Sequence, residues 1–156
     1  MKRKKASFTG MRPIFTGSPS IVQGGFNLDV EGQKFRVGDV VPAGTLAIFN
    51  ETTRKVQVIK TAKVVEVDNE NNKKVTLYVD EFYAPCFAVG DSVLKVGAVT
   101  GTFASAPTIT AIDNGNCLNN TGNVYVVTLS AAITGLKAGD VLTEVVKDSS
   151  NNAAER

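Results

Sequence analysis

Three aspartates follow glycine at the head of strand-like runs, in Val37-Gly38-Asp39-Val40, Val89-Gly90-Asp91-Ser92 and Ala138-Gly139-Asp140-Val141. Paired carboxylates could do acid–base or nucleophilic work of the glycoside-hydrolysing kind. Each of these aspartates, however, sits in a Gly-Asp turn, where glycine supplies a positive φ and the carboxylate hydrogen-bonds the turn backbone. That structural role explains them without chemistry. The run Asp68-Asn69-Glu70-Asn71-Asn72 has the oxygen density of a calcium loop. It lacks the internal glycine and closing glutamate of an EF-hand, and Lys73 and Lys74 stand where ligands would continue. It reads as a hairpin turn. Cys86, between Pro85 and Phe87, has no lysine or arginine within several residues to activate it, so it reads as a packed thiol. Cys86 and Cys117 are read as free thiols of a protein made in a cytoplasm. The chain has no histidine and no tryptophan. Without histidine the Ser-His-Asp and Cys-His arrangements, the usual zinc sites and the commonest general base are excluded. No catalytic residue, metal ligand or cofactor is assigned.

Charge points elsewhere. Lys2, Arg3, Lys4, Lys5 and Arg12 fall in the first 12 residues with no acid among them, while the remaining 144 residues hold 12 basic and 15 acidic side chains. A basic tail can release counterions from a phosphate backbone or dock on an acidic protein surface. With Phe8 as its single nearby aromatic, this tail forms no base-reading element, so a protein partner is expected in place of nucleic acid. The segment after it is interrupted by Arg12, Pro13, Gly17 and Pro19, so it lacks the apolar run of a secretory signal, and no segment has transmembrane length. No membrane and no small-molecule substrate are assigned.

Residues 1–34 carry glycines at 10, 17, 24, 25 and 32 and prolines at 13 and 19. Their hydrophobics are isolated anchors: Phe8, Ile14, Phe15, Ile21, Phe26 and Leu28. This predicts an extended arm, of which about 20 stretched residues reach roughly 65 Å. Lys2, Arg3, Lys4, Lys5, Phe8, Arg12, Ile14, Phe15 and Ile21 are the candidate binding residues. From residue 35 the texture changes to short alternating or β-branched runs at 45–50, 55–59, 62–67, 75–79, 92–96, 108–112, 124–129 and 140–146, separated by polar turns. The expectation is an all-β protein, a small barrel or sandwich of about eight short strands. The Gly-Asp echo, at separations of 52 and 49 residues, suggests two related β units, 35–84 and 85–146, followed by a polar C-terminal tail at 147–156. A single helical turn is expected near Ser130-Ala131-Ala132.

Arg36-Val37-Gly38-Asp39-Val40-Val41-Pro42-Ala43-Gly44-Thr45-Leu46 resembles the strand lead-in of auxiliary capsid proteins of tailed bacteriophages, in which a β-domain rides on the outside of the icosahedral head. Gly101-Thr102-Phe103-Ala104-Ser105-Ala106-Pro107 and Thr128-Leu129-Ser130-Ala131-Ala132-Ile133-Thr134-Gly135-Leu136-Lys137-Ala138-Gly139-Asp140 resemble head-fibre proteins. The likeness covers roughly residues 36–146. It departs from long fibres in lacking a collagen-like or heptad stalk, and from the smallest decoration proteins in having a full second β unit. The resemblance implies a non-enzymatic virion component, made in the host bacterial cytoplasm and bound to the major capsid protein on the capsid surface, often as a homotrimer. Two other classes compete with it. One is a β-sandwich adhesin or carbohydrate-binding module using Tyr78, Tyr83 and Tyr125 as a sugar platform; the other is an enzyme acting through carboxylates.

Overall fold

The computed structural model describes residues 22–42, 44–79, 84–113 and 125–156. Ten strands follow in chain order: β1 (Asn27–Leu28), β2 (Ala47–Asn50), β3 (Lys55–Val58), β4 (Thr61–Val67), β5 (Lys74–Leu77), β6 (Val93–Lys95), β7 (Ile109–Asp113), β8 (Tyr125–Leu129), β9 (Val141–Lys147) and β10 (Ala153–Glu155). The eight runs expected from alternation are β2 to β9. Where a strand buries one face it alternates: on β8, Tyr125, Val127 and Leu129 point inward, while Val126 and Thr128 are only half-buried.

The larger sheet runs β10-β9-β4-β5-β8-β7, with β6 on the other side of β9. It curls until its ends meet. Ser92 bridges Thr108 in antiparallel fashion, and the amides of Gly90, Ile109 and Val93 donate to the carbonyls of Ile109, Asp91 and Pro107 at 2.7, 2.9 and 2.9 Å. The ladder β7-β8-β5-β4-β9-β6 thus returns to β7 as a small antiparallel barrel. Register irregularities in β4, between Val64 and Glu66, and in β7, between Ile109 and Ala111, are the local bends such closure uses. Ala62, Val64, Val75, Leu77, Phe87, Val93, Ile109, Tyr125, Val127, Leu129 and Leu142 fill the interior. At about 25 cal/mol per Å² of apolar surface removed from water, this cluster dominates the stability of the body. A second sheet, β1-β3-β2, packs beside the barrel.

Four expectations change. The units 35–84 and 85–146 are not separate, because β4 and β5 from the first interleave with β8 and β9 from the second. A four-residue β5 flanked by a single neighbour would leave Val75 and Leu77 uncovered. The polar tail at 147–156 contains β10, paired with β9 from Ala153↔Lys147 to Glu155↔Val145. Residues 22–34 of the expected arm belong to the folded body through β1, which pairs in parallel with β3. The helical turn lies at Phe103–Ser105, whereas Ser130 and Ala131 form a bend. Ser130 is held instead by its amide on the Thr108 carbonyl and its hydroxyl on the Thr108 amide.

Candidate functional site

The three Gly-Asp sequences fold into one repeated device. In each, the residue three before the aspartate donates its amide to the carboxylate, from Arg36 to Asp39 at 2.9 Å, Ala88 to Asp91 at 2.8 Å and Lys137 to Asp140 at 2.9 Å. The aspartate amide returns to the carbonyl of that residue at 3.1–3.2 Å. Gly38, Gly90 and Gly139 occupy the third position at φ of 91°, 88° and 92°, the geometry of a type II turn. Each carboxylate also holds one cation: Arg36 with Asp39 at 2.8 Å, Lys60 with Asp91 at 2.7 Å, and Lys95 with Asp140 at 3.0 Å. Every carboxylate is committed to its own turn and cation, which is the arrangement of a turn lock. The Lys95 ammonium holds the Asp140 carboxyl below its ordinary value. Asp68, in the candidate calcium run, accepts the amides of Glu70 and Asn71 and closes the β4–β5 hairpin.

Lys60 and Asp91 are both fully buried, and Lys60 also donates to the Lys34 carbonyl and lies 4.9 Å from the centre of the Phe35 ring. This pair belongs to a seam fastening the small sheet to the barrel. The Gln33 side chain stands in for a strand: its Nε2 donates to the Val58 carbonyl at 2.6 Å, and its Oε1 accepts the Val58 amide at 2.9 Å. The same Nε2 reaches Glu144 at 2.6 Å. Arg156 grips both carboxylate oxygens of Glu144 at 3.2 Å and donates to Gln57 at 2.6 Å. Sequence reasoning missed Gln33, Lys60 and Arg156, because no local pattern marks a glutamine that completes a ladder 25 residues away.

Nearby, Arg36 lies over the Tyr125 ring at 5.2 Å, and Tyr125 donates to the Phe87 carbonyl at 3.3 Å. Burial pushes the Tyr125 phenol up to about 12. The Cys86 thiol, 3.4 Å from the Val40 carbonyl, is raised by burial and by the Asp39 carboxylate. A raised thiol is a poor nucleophile, in agreement with a packed cysteine. Tyr125 has no exposed surface and Tyr78 is exposed, so the two cannot form one sugar platform; Tyr83 lies outside the described residues, as does Cys117. Among the described residues no group of three cysteine, aspartate or glutamate side chains could hold a metal ion.

The feature left without an internal role is apolar surface. Val37, Val40, Val41 and Leu46 are exposed along the segment 36–46, with Leu46 at 72%. A groove of about 720 Å³ adjoins it, lined by Pro42, Leu46, Tyr78, Pro85 and Val141 among others. Ile48 and Phe49 on β2 are also exposed, on opposite faces of the strand, and the Phe49 ring lies 5.0 Å from that of Phe26. The predicted binding residues Lys2, Arg3, Lys4, Lys5, Phe8, Arg12, Ile14, Phe15 and Ile21 all lie outside the described residues. No family model, no curated protein and no solved structure matches this chain.

Proposed function

We propose that the chain is a non-enzymatic structural protein of a tailed-phage virion, made in the host bacterial cytoplasm and bound to the outer surface of the capsid as a head decoration or head-fibre protein. The observation that carries the reading is the segment 36–46. The residues that resemble auxiliary capsid proteins form an exposed apolar ridge whose turns are locked by Asp39 and by the Thr45 hydroxyl on the Pro42 carbonyl. A rigid ridge of uncovered aliphatics fits a protein whose partner supplies the missing cover. The major capsid protein is the proposed partner, and the acid-free segment 1–21 supplies five cations for encounter and four apolar anchors for residence. Further copies of this chain are part of the reading, since many weak contacts on one lattice combine through avidity.

The test is sedimentation of the purified full chain with capsids assembled without it. Saturable binding at a fixed ratio to the major capsid protein is expected. Binding to a glycan array with none to capsids would overturn the reading in favour of an adhesin.

A further inference from the structure

We propose that β2 is a self-association edge: it pairs antiparallel with β2 of a second copy about a two-fold axis, joining two small sheets into one. The backbone geometry of the hairpin decides which groups are free. The Ile59 amide donates to the Leu46 carbonyl at 2.9 Å, and Ala47 stands opposite Val58. Antiparallel ladders alternate hydrogen-bonded and open pairs, so Leu46, Ile48 and Asn50 bond toward β3. The amides and carbonyls of Ala47 and Phe49 therefore point away from it. The far side of β3 agrees: Arg54 and Val56 offer their carbonyls to β1, and Val58 turns both backbone groups to Gln33. Ala47 and Phe49 have no backbone partner among the described residues.

Natural sheets protect such an edge with lysine, proline, a bulge or a cover. Elsewhere among the described residues the edges are short or covered: Ser92 bridges Thr108 across the ends of the curled sheet, β1 and β10 are two and three residues long, and Gln33 seals the end of β3. Residues 45–50, Thr-Leu-Ala-Ile-Phe-Asn, carry no charge and no proline, and all four residues of β2 are exposed. The strand is also its own complement. With Ile48 facing Ile48 of the second copy on the axis, Ala47 and Phe49 of each chain form hydrogen-bonded pairs with Phe49 and Ala47 of the other. Small then lies against large, and Leu46 lies beside Asn50. No two like charges meet, because Thr45 falls opposite Glu51. The segment 1–21 suits this edge less well, since its five cations would find one carboxylate, Glu51, along it. The contact does not depend on the capsid reading, and its two-fold symmetry gives a dimer where the resemblance implies a trimer.

The experiment is light scattering on the full chain, with circular dichroism to monitor folding. Wild type is expected at twice the chain mass. Ala47→Pro removes only an outward-pointing amide and leaves every bond of the hairpin in place, so it is expected to be folded and monomeric. Ile48→Lys sets two like-charged side chains directly opposite across the axis, their Cβ atoms about 5 Å apart, and is also expected to be monomeric. Ile14→Asp with Phe15→Asp is expected to stay dimeric. A wild-type monomer at all concentrations, a trimer, an Ala47→Pro dimer, or loss of the dimer on changing Ile14 and Phe15 would each overturn the proposal. If Ala47→Pro fails to fold, Ile48→Lys decides: a folded dimer overturns the proposal and a folded monomer supports it.

Discussion

Among the described residues Lys60 and Asp91 form the most deeply buried ion pair, at 0% and 2% for the two side chains, whereas Lys95 and Asp140 repeat the motif at 29% and 13%. The difference sets their energetic weight. Removing one member of a buried pair strands a charge and costs about 3–5 kcal/mol, while exposed pairs are screened. Asp91→Ala is therefore expected to lower the urea midpoint far more than Asp140→Ala, although both lose the same turn lock. Equal effects would show that the turn and not the buried charge carries the stability. Tyr125 gives a pH signature. Its phenol is raised by burial from the ordinary 10.0 to about 12, so the fold keeps a proton that the unfolded chain releases. That stabilisation is complete below pH 10 and is lost as pH rises through about 12. In an alkaline absorbance titration the last tyrosine step should fall near 12 and disappear in Tyr125→Phe. A Tyr125 step near 10 would contradict its burial.

Eight of the ten strands were legible in the sequence as short β-branched or alternating runs between polar turns, although only some of them, such as β4, β5 and β8, bury one face in alternation. β1 and β10 were not: the two residues of β1 are too few to show a period and pair with the distant β3, while β10, Ala-Ala-Glu, returns on the adjacent β9 inside a run whose polar composition reads as a tail. The Gly-Asp echo was legible as turns, and the same amide-to-carboxylate bond recurs at all three strand starts. Gly38 and Gly90 separate backbone strain from crowding. A Cβ on Gly38 meets nothing within 4 Å, so Gly38→Ala carries only the cost of positive φ, about 1–2 kcal/mol. A Cβ on Gly90 lies 2.7 Å from the Lys34 ammonium, which donates to the Gly90 carbonyl at 3.0 Å. Gly90→Ala is expected to lose about as much thermal midpoint as Gly38→Ala, because the Lys34 ammonium is the far end of an exposed side chain and can swing aside. A clearly larger loss in Gly90→Ala would mean that the Lys34 contact does not give way.

At the scale of the molecule, a rigid barrel carries an apolar ridge, an uncharged edge strand and an N-terminal segment of opposite charge to the body. Of the candidate site, composition singled out the arm at 1–34, whose named binding residues lie outside the described residues, whereas the exposure of Val37, Val40, Leu46 and Phe49 follows from tertiary structure alone, because the same residues in a covered strand would read identically. In the proposed account the apolar anchors outweigh the charges. Each buried anchor is worth roughly 1.5–3 kcal/mol, against under about 1 kcal/mol for an exposed ion pair. The direct measurement is co-sedimentation of full-length variants with capsids lacking the protein, read as copies bound per major capsid protein. The account predicts a modest loss when Lys2, Arg3, Lys4 and Lys5 are replaced by serine, and abolished binding with an intact circular dichroism spectrum in Ile14→Asp with Phe15→Asp. Wild-type occupancy by that folded double variant would contradict anchoring through residues 1–21 and leave the exposed ridge at 36–46 as the attachment.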